Sequence, residues 1–287
     1  MNIFKNLLIS MRPKQWTKNL FLFTALFFVK AFTDLDKVLL ATEAFALFCL
    51  ASSAVYLLND IADLPKDREH PFKRLRPLAA GKINAALVAV MAVLLGASAI
   101  IGGFYLNFWF GLTVVGYILL NIAYSLLLKN LIILDVFTIA IGFVIRVVAG
   151  AVAINVPFSS WLILCTFFLT LFLAINKRKG ELLFNSASGN RSVLRNYSAG
   201  FLDQMSLIAL SATIISYTFY TFSSEHSKLL MLTVPIVLYG LFKYLFIVNE
   251  SQGADDGPSD IFLREFSLQL TVLVWIAAVA LVLLYGK

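Results

Sequence analysis

Long apolar stretches alternate with short polar breaks along the whole chain. A window of roughly 19 residues finds nine of them, near 16–32, 38–59, 85–106, 108–128, 131–153, 158–176, 206–223, 228–248 and 267–285. Each approaches the roughly 20 apolar residues a helix needs to cross a bilayer. The pattern therefore predicts nine membrane helices in a single transmembrane domain over 1–287. The breaks around Asn107 and Asn130 are very short, which makes the helices on either side antiparallel neighbours in a bundle. Ahead of the first stretch, Ile3, Phe4, Leu7, Leu8 and Met11 recur at helical spacing and predict a short helix lying on the membrane surface. Arg12, Pro13 and Lys14 interrupt the N-terminus before a proper h-region, so no cleavable signal peptide is expected.

Composition narrows the class. With 60% hydrophobic and 14% charged residues among 287, the chain is excluded from the soluble α/β enzymes, the disordered proteins and the secreted disulfide scaffolds; it reads as an all-α polytopic membrane protein. Cys49 and Cys165 lie inside apolar runs without metal-like spacing and read as small core hydrophobes. A net charge of +7 in a soluble protein suggests nucleic acid, but here the basic residues are topology signals first. With a cytoplasmic N-terminus, eighteen of the 23 Lys and Arg fall on one side, Lys30, Lys37, Lys228 and Lys287 on the other, and Arg146 within the fifth run. The positive-inside rule then places the C-terminus outside. Two long loops, 60–84 and 177–205, share the basic side, so a polar cavity facing the cytoplasm is expected.

The chemistry concentrates in Asn59-Asp60-Ile61-Ala62-Asp63-Leu64-Pro65-Lys66-Asp67, followed by His70, Lys73, Arg74, Arg76, Pro77 and Gly81. On a helix, positions 59, 63 and 67 project from one side. Three oxygen donors at a membrane boundary suit a hard cation, and Mg²⁺ is typically held by one or two carboxylates plus phosphate oxygens. The alternative is a solvated helix end; against it, so many acids beside six cations imply a polyanion between them. In the second loop, Lys177, Arg178 and Glu181 share a helix face and are expected to look into the same cavity, whereas Lys179 reads as a stop signal. Tyr124 and Lys129 close the fourth stretch and Asp135 opens the fifth. An arginine in mid-membrane costs at least about 2.5–3.5 kcal/mol, so Arg146 faces either a polar cavity or a polar group of a neighbouring helix. The loop 249–266, with Asp255, Asp256, Asp260, Arg264 and Glu265, reads as a flexible polar lid or an ordinary solvated turn, and His226 as a solvated residue.

The motif Asn59-Asp60-x-x-Asp63-x-x-x-Asp67, with Lys73-Arg74-x-Arg76-Pro77-Leu78-x-x-Gly81, resembles the first signature of the UbiA superfamily of intramembrane prenyltransferases, a nine-helix bundle. Members acting on aromatic acceptors carry a second acidic motif where this chain has Lys177-Arg178-x-x-Glu181. That exchange, with Met11-Arg12-Pro13-Lys14-Gln15-Trp16-x-Lys18-Asn19 and Tyr124-Ser125-x-x-x-Lys129, resembles the decaprenyl-phosphate phosphoribosyltransferase branch. The resemblance runs from about residue 11 to 270 and departs at Glu265-Phe266, where the branch has an Asp-Arg pair. It implies transfer of 5-phosphoribose from phosphoribosyl pyrophosphate to a polyprenyl phosphate, with Mg²⁺ on Asn59, Asp63 and Asp67 and with Asp60 in the catalytic group. Lys18, Lys73, Arg74, Arg76, Lys129, Lys177, Arg178 and Glu181 would serve the substrates, with Tyr124 and Arg146 orienting ribose or lipid phosphate. The expected partners are these two substrates and the lipids of the plasma membrane, with no nucleic acid; a homo-oligomer is left open. The alternatives are a prenyltransferase with an aromatic or glycerol-phosphate acceptor, and a transporter of an anionic lipid or phosphorylated sugar.

Overall fold

Polar caps set the helix boundaries in this computed structural model, which describes residues 3–184, 192–223, 228–250 and 257–285. Among them every regular element is helical. Helix α1 (Ile3–Ser10) precedes a 3-10 helix, Pro13–Leu22, that runs into α2 (Phe23–Phe28). Then follow α3 (Leu35–Ala62), α4 (Leu64–Glu69), α5 (Ala85–Leu106), α6 (Phe108–Leu126) and α7 (Leu134–Ala153). The remainder is α8 (Ser160–Phe184), α9 (Ala199–Phe222), α10 (Val234–Glu250), α11 (Pro258–Arg264) and α12 (Phe266–Tyr285). Asp34, Asn84, Asn107 and Ser198 each accept a backbone N–H from the first turn of the helix they start, which satisfies a donor the helix itself leaves orphaned. Asn107 does this as the single residue between α5 and α6: extended at φ −165° and ψ 138°, it ends one helix and caps the next.

Among the described residues eight helices are long and apolar enough to cross a membrane: α3, α5, α6, α7, α8, α9, α10 with its 3-10 lead-in from Lys228, and α12. The ninth expected stretch, 16–32, is not a continuous α-helix. Ten 3-10 residues rising about 2 Å each and six α residues rising about 1.5 Å each still extend close to the roughly 30 Å of a hydrocarbon core. The segment keeps the length for a crossing while changing its hydrogen-bond register. The chain is an integral membrane protein, and α3 shows how such a protein packs. Its buried face mixes many small residues, Ala41, Ala44, Ala51, Ser52, Ser53 and Ala54, with the larger Phe48, Val55 and Leu57, while Leu39 and Leu58 face outward. Lipid tails are as apolar as leucine, so packing rather than hydrophobicity holds helices together, and small residues let backbones approach.

The chain forms two compact units, Met1–Lys129 with Ile145–Pro157, and Asn130–Val144 with Phe158–Lys287. Helix α7 contributes its first half to the second unit and its second half to the first. The first unit centres on Phe48, Val55, Phe110, Val114 and Tyr117. Two glycines permit its closest approaches: a Cβ on Gly150 would stand 1.9 Å from the Leu22 carbonyl oxygen, and one on Gly103 would stand 3.3 Å from the Gly111 Cα. The second unit centres on Phe172, Ile175, Leu202, Leu210 and Tyr244. Parts of two loops singled out in the sequence, 185–191 and 251–256 with Asp255 and Asp256, lie outside the described residues, as does His226. Beyond the latter gap the last loop is helical over α11, with Asp260 accepting from the Gly257 N–H.

Candidate functional site

In the first unit, Pro65 stops α3. It has no N–H for the carbonyl four residues back and sits in the first turn of α4. The helical hydrogen bonds nevertheless carry across the junction: Asp63 N–H donates to Asn59 O at 2.9 Å and Asp67 N–H to Asp63 O at 2.8 Å. Asn59, Asp63 and Asp67 consequently recur one turn apart on one face, as the spacing predicts. Each acid has a cation. Lys129 Nζ donates to Asp63 Oδ1 at 2.7 Å, and Arg76 Nη1 reaches Asp67 Oδ2 at 2.5 Å and Asp60 Oδ1 at 3.4 Å. Arg12 donates to Asp60 from below, lying 5.0 Å over the Tyr56 ring, and the Ser125 hydroxyl donates to Asn59 Oδ1. Asp60 and Asp67 are buried, whereas the Asp63 side chain is 32% exposed.

The loop that follows is shaped locally. His70 Nδ1 accepts the N–H groups of Phe72 and Lys73, and Gly81 supplies a left-handed turn at φ +69°. Within it Lys73 is half-buried and Arg74 exposed, both in a 3-10 turn. Tyr124 and Lys18 are half-buried in α6 and in the Pro13–Leu22 helix.

The structure brings Arg12 into the acidic cluster. The sequence reading counted this residue only as a topology charge and as part of a motif. No local signal marked it: Arg12 stands in the left-handed region at φ 55°, where a residue before proline is not expected. Asp60, expected in the catalytic group, accepts from two arginines, Arg12 and Arg76. Arg146 meets its mid-membrane burial through helix neighbours in the same unit. Its Nε donates to Asn19 Oδ1 at 2.9 Å and its Nη2 to the Tyr117 hydroxyl at 2.8 Å, with the guanidinium 4.7 Å over that ring. Asn19 in turn donates to Ser52 Oγ and Cys49 Sγ. Of the two readings the sequence left for Arg146, these contacts supply the pairing with neighbouring helices.

The second unit holds the other cluster. Arg178 is 2% exposed; its Nε donates to Asp135 Oδ2 at 2.8 Å and its Nη1 to Glu181 Oε2 at 2.5 Å. The other oxygen of Asp135 accepts the Tyr197 hydroxyl at 2.7 Å, and that hydroxyl accepts the Ile133 N–H at 2.7 Å. Ile133 stands at φ +69°, a costly conformation for a β-branched residue, and Tyr197 ties it down. Burial, and then the bond to the Asp135 carboxylate, push the Tyr197 phenol up to about 12. Tyr197 escaped the sequence reading because nothing local connects positions 133, 135 and 197. Lys177 is half-buried, and Lys179 is tied to Asp203 at 2.6 Å and Asn249 at 2.9 Å. Arg178, expected to neutralise substrate phosphates alongside Lys177, thus already serves two carboxylates.

Among the described residues no three His, Cys, Asp or Glu are disposed to hold a metal by themselves. The set Asn59, Asp63 and Asp67 contains two carboxylates and an amide oxygen. These hard donors on one face fit Mg²⁺ with phosphate oxygens completing its shell, and the half-exposed Asp63 leaves an approach.

The model of the UbiA prenyltransferase family matches residues 19–266. The decaprenyl-phosphate phosphoribosyltransferase of Mycobacterium tuberculosis is 32% identical over 291 residues, covering 99% of this chain and 96% of that protein. Its namesake from Mycolicibacterium smegmatis is 31% identical, covering 97% and 92%. Among solved structures, a UbiA homolog from Archaeoglobus fulgidus bound to DMAPP and Mg²⁺ superposes with a TM-score of 0.75 at 18% identity, over 98% of this chain and 99% of that one.

Proposed function

The chain belongs to the UbiA prenyltransferase family, and on that premise we propose that it transfers 5-phosphoribose from phosphoribosyl pyrophosphate to a polyprenyl phosphate, releasing diphosphate in a Mg²⁺-dependent reaction. The observation that carries the reading is the end-to-end likeness to the two mycobacterial relatives of that name. The charge inventory supports it. A donor with a 5-phosphate and a diphosphate, plus a lipid phosphate, brings more negative charge than a prenyl diphosphate with a neutral acceptor, and Lys177, with Arg178 offsetting Asp135 and Glu181, shifts the balance in the required direction.

Asn59, Asp63 and Asp67 would hold Mg²⁺, which supplies neutralisation of the departing diphosphate when bound. Arg76 and Lys129, now on Asp67 and Asp63, are the cations that exchange carboxylate for phosphate oxygens as the donor arrives. Each charged hydrogen bond contributes roughly 1.5–3 kcal/mol. Lys18, Lys73, Arg74 and Lys177 meet further phosphate oxygens and Tyr124 orients the ribose. Arg178, held by Asp135 and Glu181, is a positioning residue. The acceptor phosphate needs no general base, since a phosphate monoester with a second pKa near 6 is mostly dianionic at neutral pH. It attacks the anomeric carbon opposite the leaving diphosphate, with inversion. The acidic cluster of the first unit faces the cytoplasm and the chain lies in the plasma membrane, following the distribution of Lys and Arg.

The test is turnover by purified protein in lipid nanodiscs, offered radiolabelled phosphoribosyl pyrophosphate or a labelled prenyl diphosphate with polyprenyl phosphate. Label from the first donor entering the lipid fraction is the expected result. Prenyl transfer without phosphoribosyl transfer would replace this reading by that of a prenyltransferase proper, and transport without chemistry by that of a transporter.

A further inference from the structure

Helix α1 is built inside out. Its buried residues are polar, Asn6 and Ser10, and Ser10 turns its hydroxyl back onto Asn6 O at 3.0 Å. Its exposed residues are apolar apart from Lys5: Ile3, Leu8, Ile9 and Phe4, the last at 70%. A helix of eight residues is too short to be stable in water on propensity alone and draws its stability from packing an apolar face. Here that face is turned away from the protein. The chain runs on through Arg12 into the 3-10 helix that begins at Pro13, and Phe4, Lys5, Leu8, Ile9 and Pro13 line one open groove. An apolar face with a lysine beside it, at the end of a membrane segment, fits the boundary between acyl chains and anionic headgroups.

The other side of the same helix leads to the acidic cluster. Leu7 and Met11 pack with Leu57, Ile61 and Leu64, on the stretch that carries Asp60 and Asp63. The Ser53 hydroxyl donates to Met11 O at 3.2 Å. The next residue is Arg12, left-handed at φ 55° and ψ 61°, with its guanidinium on Asp60. A non-glycine residue in that region persists only when its surroundings hold it, the more so before a proline, which favours extended backbone at the preceding residue; here the seated α1 supplies the hold.

We propose that α1 docks on the lipid interface and that this seat holds Arg12 on Asp60, making the membrane surface a working partner of the acidic cluster. The proposal deepens the function given above, and only its activity arm rests on that reading. With α1 lifted from the lipid, Arg12 loses its support and Asp60 is left to Arg76. Arg76 now spans Asp60 at 3.4 Å and Asp67 at 2.5 Å, so it is drawn away from Asp67, a residue assigned to the metal.

The seat is tested on the full chain in nanodiscs of phosphatidylcholine and phosphatidylglycerol, with a spin label at Phe4→Cys, a second preparation labelled at the exposed Lys66→Cys, and Cys165→Ala in both. The label at 4 should be relaxed by oxygen and shielded from a water-soluble nickel chelate, and the label at 66 should behave oppositely. Equal nickel access at both positions overturns the proposal. So does dipolar broadening between labels at 4, which would mean that a second copy covers the face. The link is tested by kinetics. Phe4→Glu with Ile9→Glu should lower kcat/KM about tenfold, the worth of one charged contact, as should Arg12→Ala, and the combined variant should fall no further. Losses that multiply overturn the link. If the wild type proves to transfer prenyl groups, the same non-additivity is read on that reaction, so failure of the donor assignment leaves this test intact.

Discussion

Replacing Arg178 by methionine removes the cation that two buried carboxylates share. In the folded protein Asp135 and Glu181 accept from the guanidinium at 2.8 and 2.5 Å, and Asp135 is fully buried. Methionine keeps much of the volume, so the loss is electrostatic: two acids remain against each other with no counter-charge on that side chain. Breaking a buried pair by deleting one partner costs roughly 3–5 kcal/mol. At roughly 2–4 °C per kcal/mol for chains of about this size, the apparent Tm of Arg178→Met should fall by roughly 6–20 °C. Asp135→Asn in the same chain removes one of the stranded charges and should restore roughly 0.5–3 kcal/mol as a coupling energy. The assay is thermal unfolding of purified protein followed by fluorescence-detected size exclusion, with KM for phosphoribosyl pyrophosphate measured on the folded fraction. A Tm within about 2 °C of wild type, together with a KM raised tenfold or more, would refute the reasoning. Arg178 would then be the phosphate ligand that its sequence position suggests.

Chelation by EDTA should abolish activity and Mg²⁺ restore it, and Asp63→Asn or Asp67→Asn should lower kcat severely while the protein stays folded; full activity of either variant in chelator removes the metal assignment. Lys177→Ala should raise KM for phosphoribosyl pyrophosphate roughly 10- to 150-fold, the equivalent of about 1.5–3 kcal/mol, with Tm unchanged; an unaltered KM takes Lys177 out of donor binding. Reporter fusions near residues 75 and 190 should lie in the cytoplasm and a C-terminal tag outside, and a cytoplasmic C-terminus would contradict nine crossings. Tyr197, held neutral up to about pH 12 against an ordinary 10, binds its proton more tightly in the folded state. Its contribution is therefore fully present below pH 10 and lost as pH rises through 12. The ultraviolet titration difference between wild type and Tyr197→Phe should show a phenol ionising near the upper value, and one ionising near 10 would mean that the bond to Asp135 is not formed.

What the sequence determined by itself was local and periodic. Apolar runs of bilayer length located eight crossing helices, because hydropathy integrates over about twenty residues and needs no partner. Asn107 marked its one-residue turn, and the repeat of four placed Asn59, Asp63 and Asp67 on one face, because a helix carries its own geometry. Hydropathy also found the stretch 16–32 but misread its winding, since apolar content is the same for a 3-10 and an α register. Only the tertiary structure decided the partners. Lys129 meets Asp63 from 66 positions away, Arg12 meets Asp60 from 48, Arg178 meets Asp135 from 43, Tyr197 meets Asp135 from 62 and Arg146 meets Asn19 from 127. These pairings depend on which helix lies beside which. In a bilayer that order is set by small residues and close backbones such as Gly150 against Leu22, because lipid offers every apolar face an equally good surface. A charge count could state that cations surround the acids; only packed helices could give Asp60 both Arg12 and Arg76, Asp67 the same Arg76, and Asp63 Lys129.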